Sequence, residues 1–283
     1  MKQLMMVMAA ALVLLTSCSK EPTLAGDVED ADTLQTVVIR FEFPQVTQQA
    51  MTRGSLSDAN LTDLWLFDYQ DGSLVKTIHQ QATDDDFGTV AVSAETASHA
   101  FCFVASRGSE ATVTDGEVIW EKPSDTFWSK VTLNVTPQTA TAQTVELQRV
   151  ATRLRITVTD EVPTALAKLR ISADQWHCGI DALTGEPTTA TQRTATINVP
   201  SSYAGTTGQL SASIFGLCSD DYTTDVSVTA LNSSGATIAS VSLDDVPMAK
   251  NKTTQYSGPL FKRQQSFALT AADSWLDDVV LTW

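Results

Sequence analysis

The sequence is poor in the residues from which metal sites and acid–base sites are usually built. Of its 283 residues three are histidine (His79, His99 and His177) and four are cysteine. Basic residues are also scarce, since 18 lysines and arginines stand against 33 aspartates and glutamates, for a net charge of −15. A surface this acidic repels phosphate backbones, which argues against nucleic-acid binding. The 43% of hydrophobic residues can nevertheless bury real cores, so the composition excludes wholesale disorder.

Catalytic motifs are missing as well. The chain has no P-loop, no dinucleotide fingerprint and no H-E-x-x-H segment. Aspartates cluster at 84–86, 220–221, 244–245 and 277–278, but calcium needs carboxylates spaced with carbonyls and a turn glycine. Adjacent side chains on a strand point to opposite faces, so we expect these pairs to be solvated. The sequence predicts no metal, no cofactor and no enzymatic activity.

One uninterrupted apolar run stands near the start of the chain. It extends from Leu4 to Leu15 behind Lys2, and at about a dozen residues it is too short to span a bilayer as a helix. The following Leu15-Thr16-Ser17-Cys18 resembles a bacterial lipobox. That resemblance implies that residues 1–17 are a signal peptide and that Cys18 carries acyl chains such as palmitate, which anchor the protein in the outer membrane. The alternative is an ordinary secretory signal with an accidental cysteine.

An acidic stretch follows the lipobox. Residues 18–33 carry five acidic residues and no hydrophobic periodicity, which is typical of a tether that holds a folded part away from the membrane. Acidic residues soon after such a cysteine also resemble the surface-export signal of Bacteroidales-type lipoproteins. Asp32-Thr33-Leu34 resembles the short O-glycosylation motif of the same bacteria, which implies a glycan on Thr33.

From Leu34 onward, the hydrophobic pattern has the period of two that is typical of β-strands. In the segment 37–43 the odd-numbered residues are apolar, whereas Leu61–Tyr69 is apolar on both faces, as expected of a central strand. Asp71-Gly72 predicts a hairpin turn, and Asn232–Gly235 predicts another. No stretch of ten residues has a convincing helical period. The prediction is an all-β chain.

The phase of this pattern changes near residue 150. Val145 and Leu147 are apolar at odd positions, but Leu154 and Ile156 are apolar at even ones. A change of one residue exchanges the two faces of a strand, so it predicts a bulge or a switch of sheet. We place a domain boundary there and predict two β-sandwich domains in tandem, at 34–149 and 150–283.

The remaining cysteines and histidines favour structural roles. Cys102 lies in the apolar strand 101–104 and is expected to be an inert core thiol. Cys178 and Cys218 have the option of pairing in an oxidising compartment, and the sequence leaves that open. His177 beside Cys178 suggests a nucleophile and its base, but neighbours on a strand face opposite ways.

Three segments together resemble the fimbrillin and fimbrial-anchor superfamily of Bacteroidales. Residues 60–75 resemble its opening strand pair, residues 145–154 the strand that enters its second domain, and residues 246–261 a late hairpin. The resemblance implies two transthyretin-like β-sandwich domains, no enzymatic activity, and assembly with other fimbrial subunits at the cell surface.

Assembly in that family works by strand complementation, which implies roles for both ends of the chain. A sandwich that lacks a strand exposes unpaired backbone groups beside an apolar groove, and a strand from the next subunit fills both. In shaft subunits a protease opens the groove by cutting after an arginine, and Arg53 stands where that scheme needs one. At the other end Val279, Leu281 and Trp283 share one face of a candidate donor or pairing strand.

Two kinds of function follow from these observations. The first is a lipid-anchored fimbrial component, either an uncut basal anchor or accessory subunit, or a shaft or tip subunit matured by cleavage after Arg53. The second is a surface glycan-binding lipoprotein that would use exposed aromatic side chains, with Trp120, Trp128 and Trp176 as candidates. The burial of these tryptophans separates the two, because a core tryptophan cannot stack on a sugar.

Overall fold

The computed structural model describes residues 36–46, 60–108, 110–262 and 268–270, and strands make up most of these residues. The all-β prediction is confirmed. A single 3₁₀ turn at Ser201–Tyr203 is the exception to the strands and loops of this part of the chain. No helix in it is long and apolar enough to cross a membrane.

The strands follow one another in the following order. They are β1 (Thr36–Val46), β2 (Asp63–Gln70), β3 (Ser73–Gln81), β4 (Thr89–Glu95), β5 (Ser98–Ser106), β6 (Ala111–Thr114), β7 (Glu117–Trp120), β8 (Thr126–Asn134), β9 (Ala142–Arg149), β10 (Ala151–Val158), β11 (Lys168–Asp181), β12 (Pro187–Asn198), β13 (Ser211–Leu217), β14 (Tyr222–Leu231), β15 (Thr237–Met248), β16 (Thr253–Gly258) and β17 (Ala268–Thr270).

The first sandwich is a seven-stranded sheet that closes on its own core. Its strand order is β3-β2-β5-β8-β9-β1-β4, and β8 and β9 are joined through two residue pairs only. The two halves of this sheet share one apolar core, in which the ring of Phe41 on β1 lies 4.8 Å from that of Phe101 on β5. The predicted central strand is confirmed, since every residue of β2 from Leu64 to Tyr69 is buried.

The second sandwich packs two sheets face to face. One has the order β13-β10-β16-β17, and the other has β15-β14-β11 with β12 on the remaining edge of β11. Their shared core is formed by the inward-facing residues of these strands and includes Trp176. The predicted turn at 232–235 connects β14 to β15, with Gly235 at φ +84°, a conformation that glycine adopts without strain.

Near residue 150 the chain switches from one sheet to another, which is one of the two outcomes that the change of phase predicts. The strand β9 belongs to the first sandwich and β10 to the second, with Val150 between them. The Val150 N–H donates to the carbonyl of Thr126, and its carbonyl accepts from the N–H of Cys218. The backbone of this one residue therefore bonds to both sandwiches.

The resemblance to a late hairpin at residues 246–261 is wrong in detail. The strand β15 pairs with β14, whereas β16 pairs in parallel with β10 and antiparallel with β17. The segment between β15 and β16 therefore crosses from one sheet to the other. Two of the resembling segments still meet there, because the N–H of Asn251 donates to the carbonyl of Ala151.

A hairpin that the sequence pattern did not reveal links the two halves. The strands β6 and β7 pair with each other, and β7 also pairs with the end of β11, at Gly179–Asp181. A third core lies beneath this hairpin and combines Trp65 and Phe67 of β2 with Trp120 of β7 and Ile180 of β11. The sheet that contains β2 and β5 is therefore buried on both faces.

Candidate functional site

The strand β1 occupies a slot between two neighbours. It runs parallel to β9 and antiparallel to β4, with Phe41 opposite Gln143 on one side and Val90 on the other. The side chains of Ile39 and Phe41 are fully buried in the first core. Removal of β1 would leave two free strand edges beside an apolar groove, which is the arrangement that accepts a strand from another chain.

The two faces of β1 differ sharply. Val38 is 52% exposed, and Arg40 and Glu42 are exposed as well, so the outer face is solvated. The alternation predicted for residues 37–43 is thus confirmed through Glu42. The register against β9 shifts between Glu42 and Gln45, which marks an irregularity at the end of the strand. The amphipathic part of β1 is therefore what fills the slot.

The predicted modification and pairing positions lie outside the described residues. They are Cys18 for lipidation, Thr33 for glycosylation, Arg53 for cleavage, and Val279, Leu281 and Trp283 for pairing. Arg53 falls between β1 and β2 in the sequence, and the last three residues follow β17.

The tryptophans proposed as a glycan platform do not form one. Trp120 and Trp176 are both almost completely buried, and the indole N–H of Trp176 donates to the carbonyl of Phe215 at 2.8 Å. Trp128 is half-buried and donates to the carbonyl of Ala182 at 2.9 Å. Its ring lies against Gly185, where a Cβ atom would come within 2.8 Å. These three residues have packing roles, so this part of the glycan-binding hypothesis is wrong.

The cysteines that the structure describes are free and buried. Cys178 accepts a hydrogen bond from the Arg193 guanidinium at 3.5 Å, whereas the thiol of Cys218 donates to the carbonyl of Asp220 at 2.9 Å. The two are thus not joined in a disulfide. Burial raises the pKa of the Cys102 thiol to about 12, which keeps it protonated and unreactive, as expected of a core thiol.

His177 and Cys178 do not act on each other. The ring of His177 lies edge-on to Tyr222 at 5.3 Å, and burial lowers its pKa, so the imidazole is neutral near pH 7. The Cys178 sulfur is turned toward Arg193 instead. The adjacent residues face opposite ways, as the strand geometry predicts.

A buried hydrogen-bonded pair of side chains connects β2 and β5. Nδ1 of His99 lies 2.7 Å from Asp68, and Nε2 lies 3.1 Å from the carbonyl of Glu95. Both side chains are 2% exposed. Burial raises the pKa of Asp68, and the bond to His99 opposes that shift. The pair joins two neighbouring strands of the buried sheet.

The most extensive polar network lies where the two sandwiches meet. Arg149 binds both carboxylate oxygens of Asp125, at 2.6 and 3.0 Å, and donates to the side chain of Asn251 at 3.1 Å. Arg107 binds the same carboxylate at 2.7 Å. Both guanidinium groups lie over the ring of Phe127. The sequence did carry a signal for this site, because Arg149 continues the inward-facing series of Val145 and Leu147.

No group of three or more histidine, cysteine or acidic side chains that could bind a metal occurs among the described residues. Asp84, Asp85 and Asp86 are exposed, and Asp84 accepts a hydrogen bond from the N–H of Gln81. In the β14–β15 region Asp225 accepts from the N–H of Asp245. These carboxylates support turns.

The fold is shared with solved proteins of Bacteroides. A candidate polysaccharide-binding protein from Bacteroides thetaiotaomicron has a TM-score of 0.54 at 8% identity, and the match covers 86% of this chain and 98% of that protein. A candidate adhesin from Bacteroides ovatus has a TM-score of 0.53 at 13% identity, covering 88% and 98%. A candidate adhesin from Bacteroides thetaiotaomicron has a TM-score of 0.50 at 12% identity, covering 84% and 97%. At these identities the likeness establishes the β-sandwich fold.

Sequence comparison gives a family for the greater part of the chain. The profile of a family of unknown function (DUF6562) matches residues 109–282. No curated protein matches the sequence. The matched region begins just before β6, so it includes the β6–β7 hairpin, which pairs with β11 of the second sandwich.

Proposed function

For this chain, which belongs to the DUF6562 family, we propose a non-enzymatic role as a lipid-anchored surface subunit of a fimbria that assembles by strand complementation. The observation that carries the proposal is the position of β1. The strand is amphipathic, lies between two other strands and contributes two fully buried side chains, Ile39 and Phe41, to the first core. A strand of this kind can be exchanged for one of similar pattern from another chain.

Two forms of this subunit are compatible with the sequence. An uncut basal anchor or accessory subunit would keep β1 together with a lipid on Cys18, and it would reside in the outer membrane. A shaft or tip subunit would be cut after Arg53 and would lose β1 to open its slot. We favour the first form, because an uncut chain keeps both the lipobox cysteine and the acidic tether that the sequence predicts. A glycan on Thr33 is compatible with it, since the predicted tether is a surface segment.

The intact mass of the protein from outer membranes separates these forms. An acylated mass that begins at Cys18 would support the anchor, and a mass that begins at Gly54 would support the cut subunit. A full-length, unacylated mass that still includes residues 1–17 would contradict both. The variant Cys18→Ala should lose the acyl mass and leave the membrane fraction, and its retention there would refute lipid anchoring.

The release of β1 from its slot tests strand complementation. We expect the chain cut after Arg53 to hold its first fragment through β1 until an excess of a synthetic Thr36–Val46 peptide replaces it. Phe41→Ala should accelerate release strongly, because deletion of a buried phenylalanine side chain costs about 3–5 kcal/mol. Val38→Ala is the matched control on the solvated face and should change little. Equal release rates for the two variants would contradict the proposed slot.

The carboxyl end has a separate place in the proposal. Val279, Leu281 and Trp283 would form a strand that either completes the chain's own sheet or pairs with a neighbouring subunit. Deletion of residues 276–283 with unchanged thermal stability but lost subunit capture would indicate a donated strand. A large loss of stability would indicate that the strand belongs to the core of its own chain. The deletion should have one of these effects, so normal stability with normal capture would contradict the proposed role.

A further inference from the structure

The second sandwich has an open side. The strand β12 pairs only with β11, and β13 pairs only with β10, within the part of the chain that the structure describes. The free edges of these two strands border a cleft of about 430 Å³, lined by residues 191–197 of β12, residues 213–215 of β13 and the loop at 121–123. A free strand edge presents unpaired backbone N–H and C=O groups to whatever enters the cleft.

Part of the interior of this seam is apolar. Ala195 and Ile197 of β12 pair with the fully buried Ile171 and Leu169 of β11, so they share the inner face of the sheet. Ile214 of β13 is 6% exposed on the other side of the cleft. A strand laid along the seam would thus find hydrogen-bonding edges and an apolar floor together.

A positive charge is also placed inside the seam. Arg193 lies on the inner face of β12 opposite the fully buried Ala173, and its guanidinium donates to the carbonyl of Glu121 and to the sulfur of Cys178. Its Nε is buried and has no hydrogen-bond acceptor. Both of its partners are neutral, and no carboxylate of the described residues forms an ion pair with it. A partly buried guanidinium is best stabilised by a carboxylate.

The rim of the cleft also carries a positively charged side chain. Lys122 is exposed at the edge of the cleft and has no ion pair within the described residues. Glu121 also lines the cleft, so together with Lys122 and Arg193 the lining has a net charge of +1, whereas the whole chain has a net charge of −15. An occupant that carries carboxylates would be drawn to the seam and held at Arg193.

We propose that the seam between β12 and β13 binds an extended segment of a partner protein in which apolar side chains alternate with aspartate or glutamate. The apolar side chains would cover Ile197 and Ile214, and a carboxylate would pair with Arg193. The stretch 191–197 is about 23 Å long at the rise of a strand, which suits a segment of about seven residues. The seam lies in the sandwich that does not contain β1, so the proposal is independent of strand exchange at the β1 slot.

The probe is a fluorescent peptide of about seven residues that alternates valine and aspartate, titrated with the full chain and followed by anisotropy. A peptide with lysine in place of each aspartate is its control. We expect the aspartate peptide to bind and Arg193→Glu and Lys122→Glu each to weaken binding by about tenfold or more. Ser242→Glu places the same charge on an exposed position of β15, at the opposite edge of the sheet and outside the cleft, and should leave the affinity unchanged.

Charge reversal keeps the test valid even if one variant is less stable. The lysine peptide should bind Arg193→Glu better than it binds the unaltered chain, which a misfolded variant could not produce. No binding of the aspartate peptide, or equal weakening by Ser242→Glu, would overturn the proposal. If the peptide binds only after residues 271–283 are deleted, the carboxyl end of the chain itself occupies the seam. That result would overturn the proposal as well. If the chain forms a dimer that Arg193→Glu abolishes, the occupant of the seam is a second copy of the chain, and the proposed partner protein is overturned.

Discussion

At the scale of single residues, a network of charged and polar side chains ties the two sandwiches together. Arg149 closes the first sandwich at the end of β9 and reaches Asn251, which lies between β15 and β16 of the second. Asp125 holds Arg149 through two bonds and Arg107 through one. A buried charge that loses its partner is left uncompensated, so this network should be sensitive to truncation.

We therefore expect Arg149→Ala to lower the free energy of unfolding by about 3–5 kcal/mol, because the buried Asp125 loses two charge-assisted hydrogen bonds and keeps only the bond to Arg107. Arg107→Ala is the matched control, since the Arg107 side chain is 25% exposed and that of Arg149 is 2% exposed. Its cost should be about 1 kcal/mol. Denaturant unfolding of both variants measures the difference, and equal losses would show that burial does not decide the strength of these bonds.

The reactivity of the three cysteine thiols that the structure describes tests their burial. Burial raises the pKa of Cys102 and Cys218 to about 12, and it raises that of Cys178 as well. At about pH 8 only on the order of one thiol in ten thousand would then be ionised at the first two positions, so alkylation should be negligible in the folded chain. Peptide mapping should find all three labelled after unfolding. Rapid labelling of Cys102 in the folded chain would contradict its burial.

The same shifts affect stability in a defined direction. A thiol whose pKa is higher in the folded state than in the unfolded state favours folding while it is protonated. The contribution is therefore complete below the ordinary thiol pKa of 9.0 and is lost as the pH rises toward about 12.

At the scale of elements, the turn between β11 and β12 contacts the first sandwich closely. The ring of Trp128 on β8 lies against Gly185, and the ammonium of Lys130 donates to the carbonyl of Leu183 at 3.2 Å. Asp181 shapes the turn by accepting from the backbone and the side chain of Thr184. This approach is possible because Gly185 has no Cβ and adopts φ +78°.

We expect Gly185→Ala to destabilise the chain by about 2–4 kcal/mol. About 1–2 kcal/mol comes from the left-handed backbone, and the rest comes from the overlap with Trp128. Gly235→Ala is the control, because Gly235 has φ +84° but no atom within 4 Å of the added Cβ. Thermal unfolding should show the larger effect at Gly185, and equal effects would mean that Trp128 moves aside at little cost.

At the scale of the whole molecule, the third core makes the two sandwiches depend on each other. The hairpin β6–β7 comes from the first half of the sequence but extends a sheet of the second sandwich. It covers Ile180 and Leu217, both fully buried, with the side chains of Val118 and Trp120. The proposed domain boundary at 150 separates these residues from the hairpin that covers them.

We expect a fragment of residues 150–283 to fold with a β-type circular dichroism spectrum but to melt well below the full chain, because Ile180 and Leu217 become exposed. The full chain should unfold in one calorimetric transition, and Trp120→Ala should weaken that coupling, at a cost of about 3–5 kcal/mol. Two well-separated transitions in the unaltered chain would show that the third core contributes little.

The sequence by itself determined the all-β class, most strand positions, the turns at Gly72 and Gly235, and the change of sheet at residue 150. Each follows from local chemistry: a period of two in hydrophobicity, residues that tolerate positive φ, and the exchange of faces when that period slips. The lipobox and the positions of Arg53 and Thr33 are likewise sequence observations, and their roles stay predictions.

Only the tertiary structure decided which strands are neighbours and which side chains meet. The four-residue strands β6 and β7 are too short to give a clear period, and the pairing of β7 with β11 joins residues about sixty positions apart. The burial of Trp120 and Trp176, the separation of Cys178 from Cys218 and the seam beside Arg193 arise in the same way. Strand pairing and core packing join residues that are distant in sequence, and a local pattern specifies which face is apolar but not what covers it.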